Sequence, residues 1–322
     1  MGRRRIGAVL ALGLLQVVVV ISLALAAPSD HPHEAPVRLV APPVVATAMI
    51  ARTNSDRALE ARVLATAEEA RDSVRAGHSV AAVVVDLRGE QDTLYVAGAN
   101  GSALNRDLRE RVERIERSFG RDVVVRDLVP ARAGDADHRG VYVIAALCSV
   151  LGFVVALVVT WLRGPMEQTL VLGARRVAAS AAVALTLGGL VGAGASLRYD
   201  EGFLMWWAIA ALTVLVGTLT TLALESVFGV LGIGVATTLF VLAAAPLVRL
   251  THPLLLPEPW ATITPWLPHG AALDAGTAQA YFGGPELRSL LIAIVWTMLS
   301  ILTMIVARRE RARRFGAAPR QP

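Results

Sequence analysis

Residues 141–162 read VYVIAALCSVLGFVVALVVTWL, without one charged side chain. A helix needs about 20 apolar residues to cross the hydrocarbon core of a bilayer, so this stretch predicts a membrane span. The missing charge matters as much as the apolar count. A central Arg or Asp costs roughly 2.5–3.5 kcal/mol, against a gain of about 0.3–0.6 for each Leu, Ile, Val or Phe. Working outward, residues 6–27, 177–197, 203–224, 227–248 and 289–307 pass the same test, which predicts six spans in all. The stretch 177–197 is the weakest, being mostly Ala and Gly. Its Gly188 and Gly192 form a small-xxx-small pair that permits close helix approach, although an Ala/Gly-rich composition supplies such pairs without any packing role.

Composition agrees with a membrane protein. Of 322 residues, 55% are hydrophobic and 18% charged, where a soluble domain carries about 25% charge. All 31 basic side chains are Arg. Without Lys there is no Walker A loop, no Schiff base and no kinase-type ion pair. A single cysteine, Cys148, excludes an intrachain disulfide and any multi-Cys zinc site.

The arginines orient the bundle. With the N-terminus in the cytoplasm, six spans return the C-terminus to the same side. Segments 1–5, 163–176, 225–226 and 308–322 are then internal and hold 12 Arg against 3 acids, while the short outer segments 198–202 and 249–288 hold 3 Arg against 5 acids. This follows the positive-inside rule. It accounts for the net charge of +5 through anionic lipid, so no nucleic-acid partner is expected. Residues 6–27 also resemble a signal peptide, with Arg3–Arg5 before the apolar run and Ala24-Leu25-Ala26 as a cleavage site; cleavage would fall after Ala26. The length of the run favours retention as an anchor.

The chain therefore divides into a tail with the first span (1–27), an extracytoplasmic domain (28–139), the remaining spans (140–307) with an outer segment at about 249–288, and a basic cytoplasmic tail (308–322). Residues 28–139 carry 16 Arg and 18 acids and read as a small α+β domain. Asn54 or Ser55 is a candidate cap for a helix over 56–75 stopped by Gly77. Strands are expected at 80–87, 92–97 and 123–128, with a further one within 37–49. Ser102 is a candidate cap for a helix over 103–118 that Gly120 stops. Leu104, Leu108, Val112, Ile115 and Phe119 form its apolar face, and its alternating Arg and Glu read as a solvated face laced by i,i+4 pairs. So small a core should be tied to the membrane region or to a second copy.

Chemistry-bearing patterns are sparse. His31, His33 and Glu34 are residue types that ligate zinc or copper, but no fourth ligand is near and the Pro-rich setting reads as a polar linker. No GxSxG elbow and no HExxH pair occurs. The spans carry hydroxyls without a base, so no catalytic residue, cofactor or metal is expected and the chain does not read as an enzyme. Glu225, at the inner end of the fourth span, reads either as a proton site or as a solvated helix-end residue. The segment 249–288 is apolar yet broken by Pro253, Pro257, Pro259, Pro265 and Pro268, and carries Trp260 and Trp266. It predicts short helices dipping into the outer leaflet, or else a loop lying flat on it.

Three stretches carry a family resemblance. EEARDSVRAGHSVAAVVVDL (68–87), GRDVVVRDLVPARAGDADHRGVYV (120–143) and LLLPEPWATITPWLPHGAALDAGTAQAYFGG (254–284), in this order among the spans, resemble the ABC-2-type transporter permease superfamily and, within it, the YhgE/Pip-like membrane proteins. The acidic-Gly spacing before the second span is lengthened here by Asp135-Ala136-Asp137-His138-Arg139. The resemblance implies a permease subunit of an exporter for an amphipathic or lipid-like substrate, a separate ABC ATPase subunit, and a homo- or heterodimer of permeases. It implies ATPase docking on the loop carrying Arg163, Pro165, Met166, Glu167, Leu170, Arg175 and Arg176. It also implies a re-entrant segment at Pro257, Trp260, Pro265, Trp266, Pro268 and Gly270. The alternative is a non-transporting receptor or scaffold whose ectodomain binds a cell-envelope ligand or phage.

Overall fold

The computed structural model describes residues 12–14, 16–18, 21, 31–89, 91–135, 137, 139–163, 170–199, 202–244, 252–285 and 287–316. Its first part is an α+β domain in chain order β1 (Ala35–Val40), α1 (Pro43–Thr53), β2 (Leu59–Val63), α2 (Ala67–Arg75), β3 (Ala81–Val84), β4 (Gln91–Val96), α3 (Ser102–Ser118) and β5 (Asp122–Asp127). The five strands form one sheet in the order β2-β1-β3-β4-β5, and only the β3–β4 pair is antiparallel. Alternation along the strands sorts side chains between two faces. Val37, Leu39, Val83 and Leu94 pack with Met49 of α1 and with Leu104, Leu108 and Val112 of α3. Ala82 and Tyr95 pack on the opposite face with Ala70 and Val74 of α2.

The domain departs from the sequence pattern at several places. The helix expected over 56–75 is β2 followed by α2. Leu59 and Ala61 are buried by parallel pairing with β1, and the Asn54 carboxamide, which follows the end of α1, accepts the Ala61 amide at 2.8 Å. Thr66, not Asn54 or Ser55, caps α2 by accepting the Glu69 amide at 3.2 Å. The strand sought within 37–49 ends at Val40, because Pro43 opens α1 at a position that needs no N–H. The other three strands and the helix at 103–118 lie where their patterns put them. Ser102 does not cap α3; its amide and hydroxyl both donate to Asp137, at 3.1 and 2.7 Å. The charged face of α3 is only partly solvated. Arg109 pairs Glu113 in the open, but Arg111 and Glu116 are buried, and Phe119 is 44% exposed.

The second part is helical: α4 (Arg139–Arg163), α5 (Leu170–Tyr199), α6 (Phe203–Phe228), α7 (Val230–Leu242), then the short α8 (Trp260–Ile263), α9 (Pro268–Tyr281) and α10 (Leu287–Gly316). Among the described residues, four helices are long and apolar enough to cross a membrane: α4, α5, α6 and α10. They match the spans expected at 141–162, 177–197, 203–224 and 289–307. Of the span expected at 227–248, residues 245–248 lie outside the described residues, and the described part holds a shorter apolar helix, α7. The inner turn foreseen at 225–226 is absent, since α6 runs on to Phe228. The chain then turns at Gly229 (φ +63°), and α7 packs back so tightly that a Cβ on Gly232 would meet the Leu224 carbonyl. At 1.5 Å per residue α7 reaches only about 20 Å. The span at 6–27 lies mostly outside the described residues. Of its described part, Gln16 donates from its side-chain amide to the Gly234 carbonyl at 3.0 Å, which places it beside α7.

Helix α6 is the most enclosed of the four, with α4, α5 and α10 around it. The glycine pair of α5 has a packing role here. A Cβ on Gly188 would sit 2.5 Å from the Ala211 backbone, and one on Gly192 2.7 Å from that of Trp207. A Gly188→Leu chain should therefore lose the close α5–α6 contact. Its denaturation midpoint in detergent is expected to fall by the equivalent of at least about 2 kcal/mol, while Gly194→Leu, where a Cβ would meet open space, stays near the unsubstituted chain.

The α+β domain is tied to the helical part, as its modest core requires. The His33 amide donates to the Leu254 carbonyl at 3.0 Å, and Leu255 joins the core between the sheet and α1 and α3. Phe282, just after α9, lies against Gly77, whose φ of +75° and absent side chain leave room for the ring.

Candidate functional site

Helix α5 follows α4 in the chain and ends beside the α+β domain, and a buried polar cluster holds it near each end. At the first end, Arg176 is 7% exposed and Glu225 of α6 is 4% exposed. Arg176 Nη2 donates to Thr160 Oγ1 of α4 at 2.9 Å, and the same hydroxyl donates to Glu225 Oε2 at 2.6 Å. Arg176 and Glu225 are also 3.5 Å apart as an ion pair. One hydroxyl thus couples three helices. The neighbouring Ser226 carbonyl accepts from the Arg311 guanidinium of α10, which brings a fourth helix to the same level.

At the other end, Asp135 collects the chain leaving the α+β domain. Its Oδ2 accepts from Tyr199 of α5 at 2.8 Å and from Tyr281 of α9 at 2.7 Å. Its Oδ1 accepts the Gly140 amide of α4 at 2.9 Å and lies 3.3 Å from Arg198. Tyr199 stacks on Trp206 of α6 with ring centroids 5.2 Å apart. Burial pushes the Asp135 carboxyl up, but the Gly140 amide, the two tyrosine hydroxyls and Arg198 outweigh it and hold the group below the usual carboxylate range.

A third buried charge lies within the α+β domain. Arg121 grips Asp92 through two bonds of 2.6 and 2.7 Å. Glu116, fully buried beside them, meets no N–H or O–H donor at either oxygen among the described residues. Burial, and next the negative charge of Asp92, push its carboxyl up to about 8. Only a protonated Glu116 can share a hydrogen bond with Asp92. A raised carboxyl holds its proton in the fold while the unfolded chain has released it. This contribution to stability is therefore full below about pH 4.5 and lost as pH rises towards 8. Purified full-length chain should lose melting temperature over that interval, and Glu116→Gln should flatten the loss; a tenfold difference in proton affinity between the folded and unfolded chain corresponds to about 1.4 kcal/mol. Parallel melting curves for the two chains would contradict it.

These placements rearrange the residues expected from the sequence. In the loop expected to dock an ATPase, Pro165, Met166 and Glu167 lie outside the described residues, as do the side chains of Arg163 and Leu170. Arg175 is exposed, but Arg176 is buried against Glu225 and offers no surface for docking. Glu225 is a helix-end contact and not solvated. In the Pro-rich segment between α7 and α10, Pro268 opens α9, and Gly270 sits where a Cβ would collide with the Thr264 carbonyl. Pro257 and Pro265 are partly buried in the turns on either side of α8, where Trp260 takes the first position. Trp266 is exposed, its ring under the Arg288 guanidinium at 4.9 Å, while its carbonyl accepts from Trp296. Helix α9 is enclosed by α4, α6 and α10, so the reading of a loop lying flat does not hold for it. His31 pairs Asp107 at 3.7 Å, and no group of three His, Cys, Asp or Glu able to hold a metal exists among the described residues.

Sequence reading missed Asp135 as a hub, the Thr160–Arg176–Glu225 cluster and Glu116. The available signals were an acid directly before a span, an Arg and a Glu just inside two spans, and an acid at an apolar helix position. Comparison with family models, with curated proteins and with solved structures found no match.

Proposed function

We propose that this chain is the membrane permease subunit of an ATP-driven exporter of the ABC-2 type. It takes its energy from a separate ATPase subunit that docks on 163–175 and works as a homo- or heterodimer on an amphipathic or lipid-like substrate. In this reading there are six spans, with residues 6–27 as the first and the chain around α7 as the fifth. Both termini are cytoplasmic and the α+β domain is outside. The observation that carries the proposal is the pinning of α5 at both ends. A push on the loop before α5 reaches α6 through Arg176 and Glu225, and reaches α9 and the α+β domain through Tyr199 and Asp135. A scaffold without transport needs no such strut. Residues 1–322 hold no Lys, so they supply no phosphate-binding lysine of their own, in keeping with energy from a separate ATPase subunit.

Two measurements test it. Tagged full-length chain should co-purify with an ATPase subunit bearing a phosphate-binding loop, and Met166→Asp should cut the recovery at least about tenfold, as expected for losing one buried apolar contact or more. Recovery of the chain without such a subunit overturns the export reading. Cys148 is only 1% exposed, so a membrane-impermeant maleimide should read single engineered cysteines cleanly. In intact cells Ser118→Cys should label and Ala312→Cys should not; labelling of both or neither contradicts the topology.

A further inference from the structure

A cavity of about 290 Å³ opens where three parts of the molecule meet. The α+β domain contributes Asn100, α9 contributes Asp274, the chain after α9 contributes Phe282, and the first turn of α10 contributes Arg288. Tyr142 of α4, His252, Thr277 of α9 and Ser289 of α10 add further polar groups to its lining. Its size lies just under the range of pockets that take drug-sized ligands, roughly 300–1,000 Å³, so it fits a polar head and not a whole lipid. It offers charges of both signs: a guanidinium suited to forking a phosphate and a carboxylate suited to an ammonium.

Its level in the membrane follows from its neighbours. Arg288 stands at the start of the apolar helix α10, over the exposed indole of Trp266. Indoles and the guanidinium groups above them belong at the headgroup layer. On the same helix α10, Leu287, Leu291 and Val295 recur every four residues from beside Arg288 and are 70%, 48% and 52% exposed, an apolar track suited to acyl chains. A soluble zwitterion would have no use for that track.

We infer that the cavity between the α+β domain and α9 binds the headgroup of a phosphoethanolamine lipid. The phosphate sits on Arg288, the ammonium on Asp274, and the acyl chains run along α10. The lipid bridges the α+β domain and α10 and so fastens the domain to the bilayer surface. The inference rests on α10 being a span and not on export.

The test is native mass spectrometry of full-length chain in detergent, titrated with phosphatidylethanolamine or phosphatidylglycerol. Phosphatidylethanolamine should bind more tightly than phosphatidylglycerol. Arg288→Gln and Asp274→Asn should each weaken it at least about tenfold, the equivalent of one charge-assisted hydrogen bond. Thr277→Trp, which fills the cavity, should abolish it, and Arg308→Gln, near the far end of α10, should leave it unchanged. Equal binding of both lipids with no effect of Asp274→Asn overturns the assignment. So does displacement of the lipid by glycerophosphoethanolamine at equal concentration, which marks a soluble ligand. Binding of phosphatidylethanolamine unaffected by the Arg288 and Asp274 variants places the lipid elsewhere and overturns it as well. Failure to recover an ATPase subunit leaves this inference standing, and loss of lipid discrimination leaves export standing.

Discussion

Arg176→Leu is expected to destabilise the full-length chain by roughly 3–5 kcal/mol, the cost of leaving one member of a buried ion pair without the other. The stranded group is Glu225, 4% exposed, which would keep the Thr160 hydroxyl as a donor but lose its buried counter-charge. Two further chains separate the loss of the ion pair from a simple cavity. Glu225→Leu strands Arg176 in the same way and should cost a similar amount. Arg176→Leu with Glu225→Leu removes both charges, so it should cost less than either single change, since replacing a buried pair by apolar groups is often neutral. A double-mutant cycle on denaturation midpoints in detergent measures this coupling directly. Additive losses would mean that the two side chains act independently, and the strut described for α5 would lose its first anchor. If the proposed ATPase subunit drives the chain through this strut, the double variant should fold and yet uncouple ATP hydrolysis by that subunit from this chain.

The second large effect is at Asp135. Asp135→Ala removes the acceptor that the Gly140 amide and the Tyr199 and Tyr281 hydroxyls share, together with the counter-charge of Arg198. With roughly 1–3 kcal/mol for each buried group left unpaired, a loss of at least about 3 kcal/mol is expected. Tyr199→Phe and Tyr281→Phe each remove one donor and should cost less. Because this carboxyl is held below its ordinary value in the fold, the sign of its pH dependence opposes that of Glu116. Its stabilisation is present above the ordinary carboxylate range and is lost as pH falls through the lower folded value. Melting curves of full-length chain should therefore drop on the acid side below about pH 4, and Asp135→Asn should remove that drop. An unchanged acid limb in Asp135→Asn would show that the hub is held by packing of Tyr199 on Trp206 and not by the carboxylate.

How far the sequence alone carried can be seen residue by residue. The stretches at 141–162, 203–224 and 289–307 were legible because crossing a bilayer sets a length and a charge limit that few soluble helices meet. The helix at 103–118 and the strands near 81, 92 and 123 were legible because their periods of 3.6 and 2 survive in short windows. Residues 59–63, LEARV, were not. Their local composition suits a helix, and only pairing with Ala35–Leu39, twenty-four positions earlier, makes them a strand. The break at Gly229 was hidden by an apolar run that continues across it, since hydropathy does not register a positive φ.

Composition and local period suffice to make this chain a membrane protein with a small α+β domain between its first apolar stretches, because burial and the cost of charge in lipid act on them directly. Which polar groups are sealed from water is settled in three dimensions. Thr160, Arg176 and Glu225 lie on three helices, and Asp135, Tyr199 and Tyr281 are separated by up to 146 positions. A buried charge is held by partners that converge in space, and no spacing along the chain announces that convergence.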